Sequence, residues 1–207
     1  MPEMQTQTNN RQMNAVVLAG GLGKRLRPLI NKIPKPAIVV KGKPIIRHVL
    51  DWLEDVGFDD IIIKLHYLPH LIKEAVGEDR NVKYIYEKKL TPTAYFLKKN
   101  SKHLEETFLV TNGDTLTNLN LLKFIEFHLI NKNIATVFTK DDAIHTGGTY
   151  IFDKEILNYV KDDMDIPHLM AVLVEASIPI NLYFSDATYF DTADKKKLAR
   201  ARRYYEK

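Results

Sequence analysis

Gly20, Gly21 and Gly23 follow the apolar run Asn14 to Ala19 and are themselves followed by Arg25 and, further on, Lys35. A glycine-rich bend after a strand lets backbone N–H groups approach a polyphosphate without interference from Cβ atoms. Arg25 adds a fixed cation with several donors, a group suited to phosphate oxygens. The chemistry this segment suits is phosphate binding, although three glycines alone would equally serve a simple chain reversal. Neither common phosphate motif matches: no Gly-Lys-Ser or Gly-Lys-Thr ends the loop, and glycines at 20, 21 and 23 do not fit GxGxxG. A second feature is Asp114, in Asn112-Gly113-Asp114 after the apolar run Thr107 to Thr111. A carboxylate at the carboxyl end of a strand can meet a hard cation through oxygen, though the same three residues also favour turns. Other groupings carry less. His66 and His70 have helical spacing, but Pro69 intervenes and no third ligand is near. Asp162, Asp163 and Asp165 lack the spacing of a calcium hand, and the absence of cysteine excludes thiol nucleophiles and zinc-thiolate sites.

Residues so far apart need a scaffold that brings several strand ends to one side. Asn14 to Ala19 (NAVVLA) is β-branched and apolar, as suits a strand buried on both faces. Further strands are expected at 60–65, 82–86, 107–111, 134–139 and 148–152. Helices are expected from Pro44 to a left-handed cap at Gly57, from Pro69 to Gly77, and from Thr91 as cap and Pro92 to about Lys99. Another spans 121–130 with Leu122, Ile125 and Leu129 on one face. Asp153 is expected to cap a helix bearing Ile156, Leu157 and Val160, and Pro167 to start one bearing Met170, Leu173 and Val174. Ile178, Ile180, Leu182 and Phe184 alternate as in a half-buried edge or antiparallel strand, and a basic helix runs from about Ala193 to Tyr205. Strand alternating with helix predicts an α/β fold with a largely parallel sheet and a ligand beyond the strands' carboxyl ends.

Composition fits one compact unit: 207 residues, 45% apolar and 27% charged, exclude intrinsic disorder and fibrous repeats. Met1 to Met13, polar and without periodicity, is expected to be a disordered tail, leaving a single domain over 14–207. The net charge of +4 is too small to imply a nucleic-acid binder, and the basic run Lys195 to Arg203 reads as a solvated helix face. No apolar run approaches the roughly 18 residues of a membrane span and no leader opens the chain, so a cytoplasmic location is the default expectation. An exposed edge strand would permit pairing with a second copy, though no residue demands it.

Beyond these readings, Leu18 to Leu29 (LAGGLGKRLRPL), followed by Pro34, Lys35 and Pro36, resembles the signature loop of the sugar-1-phosphate nucleotidyltransferases, or NDP-sugar pyrophosphorylases. Val110 to Asp114 (VTNGD) resembles that family's strand ending in a metal-binding aspartate, and Tyr189 to Thr192 (YFDT) its late aspartate motif. The resemblance implies a Rossmann-like nucleotide-diphospho-sugar transferase fold, a mixed but mostly parallel sheet flanked by helices. It implies Mg²⁺ held by Asp114 and Asp191, with Arg25, Lys35 and Asp114 catalytic. It places the nucleotide on Leu18, Ala19, Gly20 and Gly21, on Gly23, Lys24 and Arg25, and on Thr93. It places the acceptor on Asn112, Gly113, Gly147 and Lys140. The implied reaction is attack by a sugar 1-phosphate oxygen on the α-phosphorus of a nucleoside triphosphate, displacing pyrophosphate. The loop is most similar to the guanylyl branch that acts on mannose- or heptose-type 1-phosphates.

Three departures stand out. Lys24 occupies a place where the family usually has Thr or Ser. The base-contacting turn, about P-L-G-T-A-G-A-L in the family, reads LTPTAYFL over Leu90 to Leu97, with Pro92 and Tyr95 in place of glycines. Only Lys140 to Thr146 remains where the family inserts a few dozen residues carrying a lysine for the sugar phosphate. Lys140 is either its substitute or a solvated loop lysine. A shortened acceptor side also suits cytidylyl transfer to a phosphorylated alcohol such as phosphocholine, or a non-catalytic nucleotide-binding regulatory domain.

Overall fold

The computed structural model of the chain describes residues 13–28, 32–140, 146–192 and 194–205, without the side chains of Lys24 and Thr146. The strands of its main sheet are β1 (Met13–Leu18), β4 (Ile61–Leu65), β5 (Val82–Tyr86), β6 (Thr107–Asn112), β8 (Ala135–Thr139), β9 (Thr146–Asp153) and β10 (Asn181–Phe184). Two short ribbons pair β2 (Val39–Val40) with β3 (Lys43–Pro44) and β7 (Thr115–Thr117) with β11 (Tyr189–Asp191). The helices are α1 (Ile45–Glu54), α2 (Pro69–Val76), α3 (Thr93–Lys99), α4 (Leu121–Asn131), α5 (Ile166–Glu175) and α6 (Lys195–Tyr205).

The seven strands lie in the order β10-β8-β9-β6-β1-β4-β5, and β9 alone runs against its neighbours. Because side chains alternate along a strand, β1 sends Ala15 and Val17 to one core and Val16 to the other. The first core is covered by α1, α2 and α4, the second by α3, α5 and a 3₁₀ stretch at Lys154–Tyr159. The central strand β1 therefore reads as a continuous apolar run, as a doubly covered strand must. A third, smaller cluster gathers Leu26, Ile38, Val40, Ile45, Leu116 and Phe190 with Leu198 and Ala201 of α6. It lies apart from both large cores and joins segments that are remote in sequence.

The structure corrects several sequence expectations. Met13 belongs to β1 rather than to a tail, with the apolar side chain buried; residues 1–12 lie outside the described residues. α4 buries Leu121, Phe124, Ile125 and His128, while Leu122 and Leu129 are exposed. That helix is apolar on most sides, so a period of 3.6 admits two overlapping stripes, and hydrogen bonding of His128 to Thr136 at 2.7 Å makes the other one the inner face. α3 starts at Thr93 with Pro92 at its cap position, while the Thr91 hydroxyl donates to Glu87. Asp153 caps nothing: it accepts from the Thr107 hydroxyl at 2.6 Å, and the stretch after it is 3₁₀. β10 is an edge strand, parallel to β8, but it begins only at Asn181 and exposes Leu182 and Phe184. Val174 is exposed as well, and the start expected at Ala193 lies outside the described residues.

Candidate active site

The carboxyl ends of β1, β4, β6 and β8 and the start of the antiparallel β9 meet at one edge of the sheet. Past Leu18 the chain stays anchored, with Ala19 N–H donating to Lys64 O at 3.1 Å and Gly113 N–H to Leu18 O at 3.0 Å. Gly20 passes so close to β4 that a Cβ there would sit 3.2 Å from that of His66. Gly21 differs: no atom of the protein lies within 4 Å of where its Cβ would be. Gly23 takes a left-handed φ of 57°, a conformation that glycine adopts without cost, and turns the chain into the 3₁₀ segment Lys24–Leu26. Leu26 is then buried in the third cluster while Arg25 stays exposed at the cleft.

Lys35 is set by its neighbours. Pro34 and Pro36 restrict the backbone on both sides of it, and Lys35–Ala37 forms a 3₁₀ turn in which the lysine is only 7% exposed. Its Nζ is ion-paired with Asp114 Oδ2 and lies 3.1 Å from Asp191 Oδ1. Two long-range links bring those carboxylates together. β11 pairs with β7 so that Asp191 lies opposite Thr115, next to Asp114, and the Thr192 hydroxyl donates to Asp114 O at 2.8 Å. From α6, Lys197 Nζ reaches Asp191 Oδ2 at 3.1 Å. Burial of Asp191 works against ionisation, but Lys35 and Lys197 outweigh it and hold the carboxyl below its usual range. Two carboxylates thus face two ammonium groups at one point.

A cleft of about 780 Å³ opens over this point, and Leu18, Ala19, Gly20, Gly21, Gly23, Arg25, Lys35, Asn112, Asp114, Thr93 and Asp191 all border it. A second cavity of about 420 Å³ shares Leu18, Thr93, Asn112 and Asp191 with it and continues past Gly147, Gly148 and Tyr150. Thr93 also accepts the N–H of Ile166 at 3.0 Å through its hydroxyl, which ties α3 to α5 at the cleft wall. Gly113 borders neither cavity; buried against Val17 and Ala19, it serves close packing. Gly147 borders the second, and a Cβ on it would overlap the Phe138 ring. Lys140 lies elsewhere, 5.8 Å over the Tyr189 ring, in a third cavity that also meets Asp191 and Lys197. The Lys24 side chain and residues 141–145 lie outside the described residues.

Sequence reasoning missed several residues of this site. Lys64 is 2% exposed; its Nζ donates to Thr91 O at 2.8 Å and lies 3.0 Å from Glu87 Oε2. Burial pushes its pKa below the ordinary lysine value despite Glu87. The pair holds the stretch Leu90–Thr93 against the cleft, and the signal for it was a single lysine inside the otherwise apolar IIIKL. Asp163 and Asp165 also border the large cleft, and Asp165 caps α5 through His168 N–H at 2.9 Å. Lys197 was hidden within a run of basic residues.

Among the described residues no group of three or more carboxylate or imidazole side chains gathers as a metal cage. Asp114 and Asp191, both within reach of one ammonium, still fit Mg²⁺, which is commonly held by one or two carboxylates with substrate phosphates and water completing its shell. No helix among the described residues is long and apolar enough to cross a membrane.

Comparison with known proteins agrees with this geometry. Residues 14–147 match the nucleotidyl transferase family model. The D-glycero-alpha-D-manno-heptose 1-phosphate guanylyltransferase of Aneurinibacillus thermoaerophilus is 33% identical over 175 residues, 70% of this chain and 76% of that protein. The enzyme of the same name from Campylobacter jejuni is 32% identical over 174 residues, 70% of this chain and 78% of that protein. The crystal structure of HddC from Yersinia pseudotuberculosis complexed with GMP-PN superposes with a TM-score of 0.75 at 26% identity, covering 93% of this chain and 99% of that one. With its glycine loop, paired aspartates and sheet in place, the chain belongs to the nucleotidyl transferase family.

Proposed function

We propose that this protein transfers a nucleotidyl group from a nucleoside triphosphate to a sugar 1-phosphate with release of pyrophosphate. The observation that carries the reading is Lys35 gathering Asp114 and Asp191 in the same cleft as the Gly20–Arg25 loop. An oxygen of the acceptor's phosphate forms a bond to the α-phosphorus as the bond from that phosphorus to the bridging oxygen breaks, and pyrophosphate departs with the electron pair. The attacking phosphate is ionised near neutral pH, so no protein base is needed. What remains for the chain is alignment and neutralisation of charge.

The parts divide accordingly. The amides of Gly20 to Gly23 and the Arg25 guanidinium hold the β- and γ-phosphates. Lys35, fixed between its prolines, stands against the α-phosphate, and the wall at Leu90–Thr93 receives the base. Asp114 and Asp191 hold Mg²⁺, which when bound neutralises charge on the phosphate oxygens. The names of the heptose 1-phosphate guanylyltransferase relatives favour GTP and a heptose- or mannose-type 1-phosphate here.

The test is to supply each nucleoside triphosphate with Mg²⁺ and a panel of sugar 1-phosphates and phosphoalcohols, and to follow pyrophosphate. Release that requires GTP and a heptose- or mannose-type 1-phosphate is expected. Release only with CTP and phosphocholine would replace the proposal, and none with any pair would end it.

A further inference from the structure

A phosphorylated acceptor brings about two negative charges into its site, and a site that binds it needs a cation to meet them. The cavity of about 420 Å³ beside Asp191 is bordered by Asn112, Gly147, Tyr150 and Asp165, and its one basic lining side chain among the described residues is Lys197. Arg25 and Lys35 border the larger cleft instead. Lys140 and Arg200 are also placed elsewhere, over the rings of Tyr189 and Phe190, each at 5.8 Å.

Lys197 is held as a binding residue should be. Its backbone N–H donates to Asp194 Oδ1 at 2.8 Å in the first turn of α6, and the next residue, Leu198, is buried in the third cluster. The base of the side chain is therefore fixed, while the side chain itself is about half exposed (52%). Its ammonium spends one hydrogen on Asp191 Oδ2 at 3.1 Å, and an ammonium carries three donors. Among the described residues the other two meet no partner and remain for a ligand in the cavity. Asp191 takes Lys35 on one oxygen and Lys197 on the other, so a single carboxylate links the cation of the larger cleft to the cation of the smaller one.

We propose that Lys197 binds the phosphate of the acceptor, beside Asp191 and across that carboxylate from Lys35. The proposal rests on the transferase reading and adds to it a residue outside the 14–147 family match.

The experiment compares the full chain with Lys197→Met and Lys197→Arg. With a turned-over acceptor, Lys197→Met should raise the acceptor KM at least about tenfold and leave the triphosphate KM within about twofold, and Lys197→Arg should recover most of the loss. Thermal midpoints should match. A role confined to holding Asp191 would raise the Mg²⁺ requirement and lower kcat with the acceptor KM unmoved, and that result overturns the proposal. A second readout needs no turnover: inorganic phosphate is titrated while the side-chain ammonium NMR signal absent from Lys197→Arg is followed. A saturable shift of that signal is expected, and its absence overturns the assignment. Should the signal shift while the wild type turns over no acceptor, the transferase reading fails and the anion site at Lys197 stands.

Discussion

The two sides of the cleft are built differently. The larger cleft draws its glycine loop, Arg25 and Lys35 from one short stretch of chain between Leu18 and Pro36, and is walled by Leu90–Thr93 and by Asn112 and Asp114 at a strand end. The smaller cavity is collected from Asn112, Gly147, Tyr150, Asp165, Asp191 and Lys197, which sheet pairing and the packing of α5 and α6 bring together. The motif supplies Arg25 and Lys35 to the first, whereas the basic side chain of the second comes from α6. A contiguous binding site can be recognised from local spacing, whereas a collected one depends on register between strands.

Substitutions can break or sharpen that contrast. The largest effect is expected at the shared centre: Asp114→Asn should cut kcat at least about a thousandfold with the fold retained, since charge neutralisation at the transferring group is lost. Near-normal pyrophosphate release from that variant would remove the aspartate from the mechanism. Arg25→Ala comes next. Losing charge-assisted bonds worth about 2–3 kcal/mol should raise the triphosphate KM by about 30-fold to about 160-fold while the acceptor KM stays near its original value. Equal increases in both constants would show that the two sides are not separate.

Two glycines offer a finer test. Gly147→Ala would drive a methyl into the Phe138 ring and should lower stability by about 1–3 kcal/mol, seen as a clear fall in thermal midpoint. Gly21→Ala adds its methyl where no protein atom waits, so the midpoint should hold while the triphosphate KM rises about tenfold. A fall in midpoint for Gly21→Ala, with binding unchanged, would make that glycine structural rather than ligand-facing.

The smallest effect concerns acid. Asp191 is held below the usual carboxylate range, so its contribution to stability is complete above its unfolded value, about 4. That contribution is lost as pH falls through the lower folded value. As pH falls below about 4 the wild type should therefore lose more stability than Asp191→Asn, measured as denaturation midpoints across pH. Identical acid limbs would mean that Lys35 and Lys197 do not bias this carboxyl.

Much of the fold could be read because β1, β4 and β6 are buried on both faces and announce themselves as largely apolar runs, β1 and β6 ending in glycine or turn residues. The positions of Gly20 and Asp114 at strand ends were legible for the same local reason, whereas Lys35 stood out only through the resemblance of its Pro-Lys-Pro setting. The inner face of α4 was not: with apolar residues on most sides, only the pairing of His128 with Thr136 chooses it. Lys64 and Glu87 are 23 positions apart and become partners only when β4 and β5 align, which no short-range pattern encodes. Lys197 was obscured by its equally basic neighbours Lys195 and Lys196, because only packing of Leu198 decides which of the three points inward.

The third cluster has a consequence for the order of events during synthesis. Every strand of the main sheet emerges from the ribosome before Phe190, Leu198 and Ala201 do. All strands of the main sheet but β10 are complete by Asp153, so Asp114 and Lys35 can pair before Asp191 is available as their third partner. The meeting of Asp191 with Lys35 and Asp114 then depends on the last ribbon strand and helix closing over Leu26 and Ile38, not on the sheet alone.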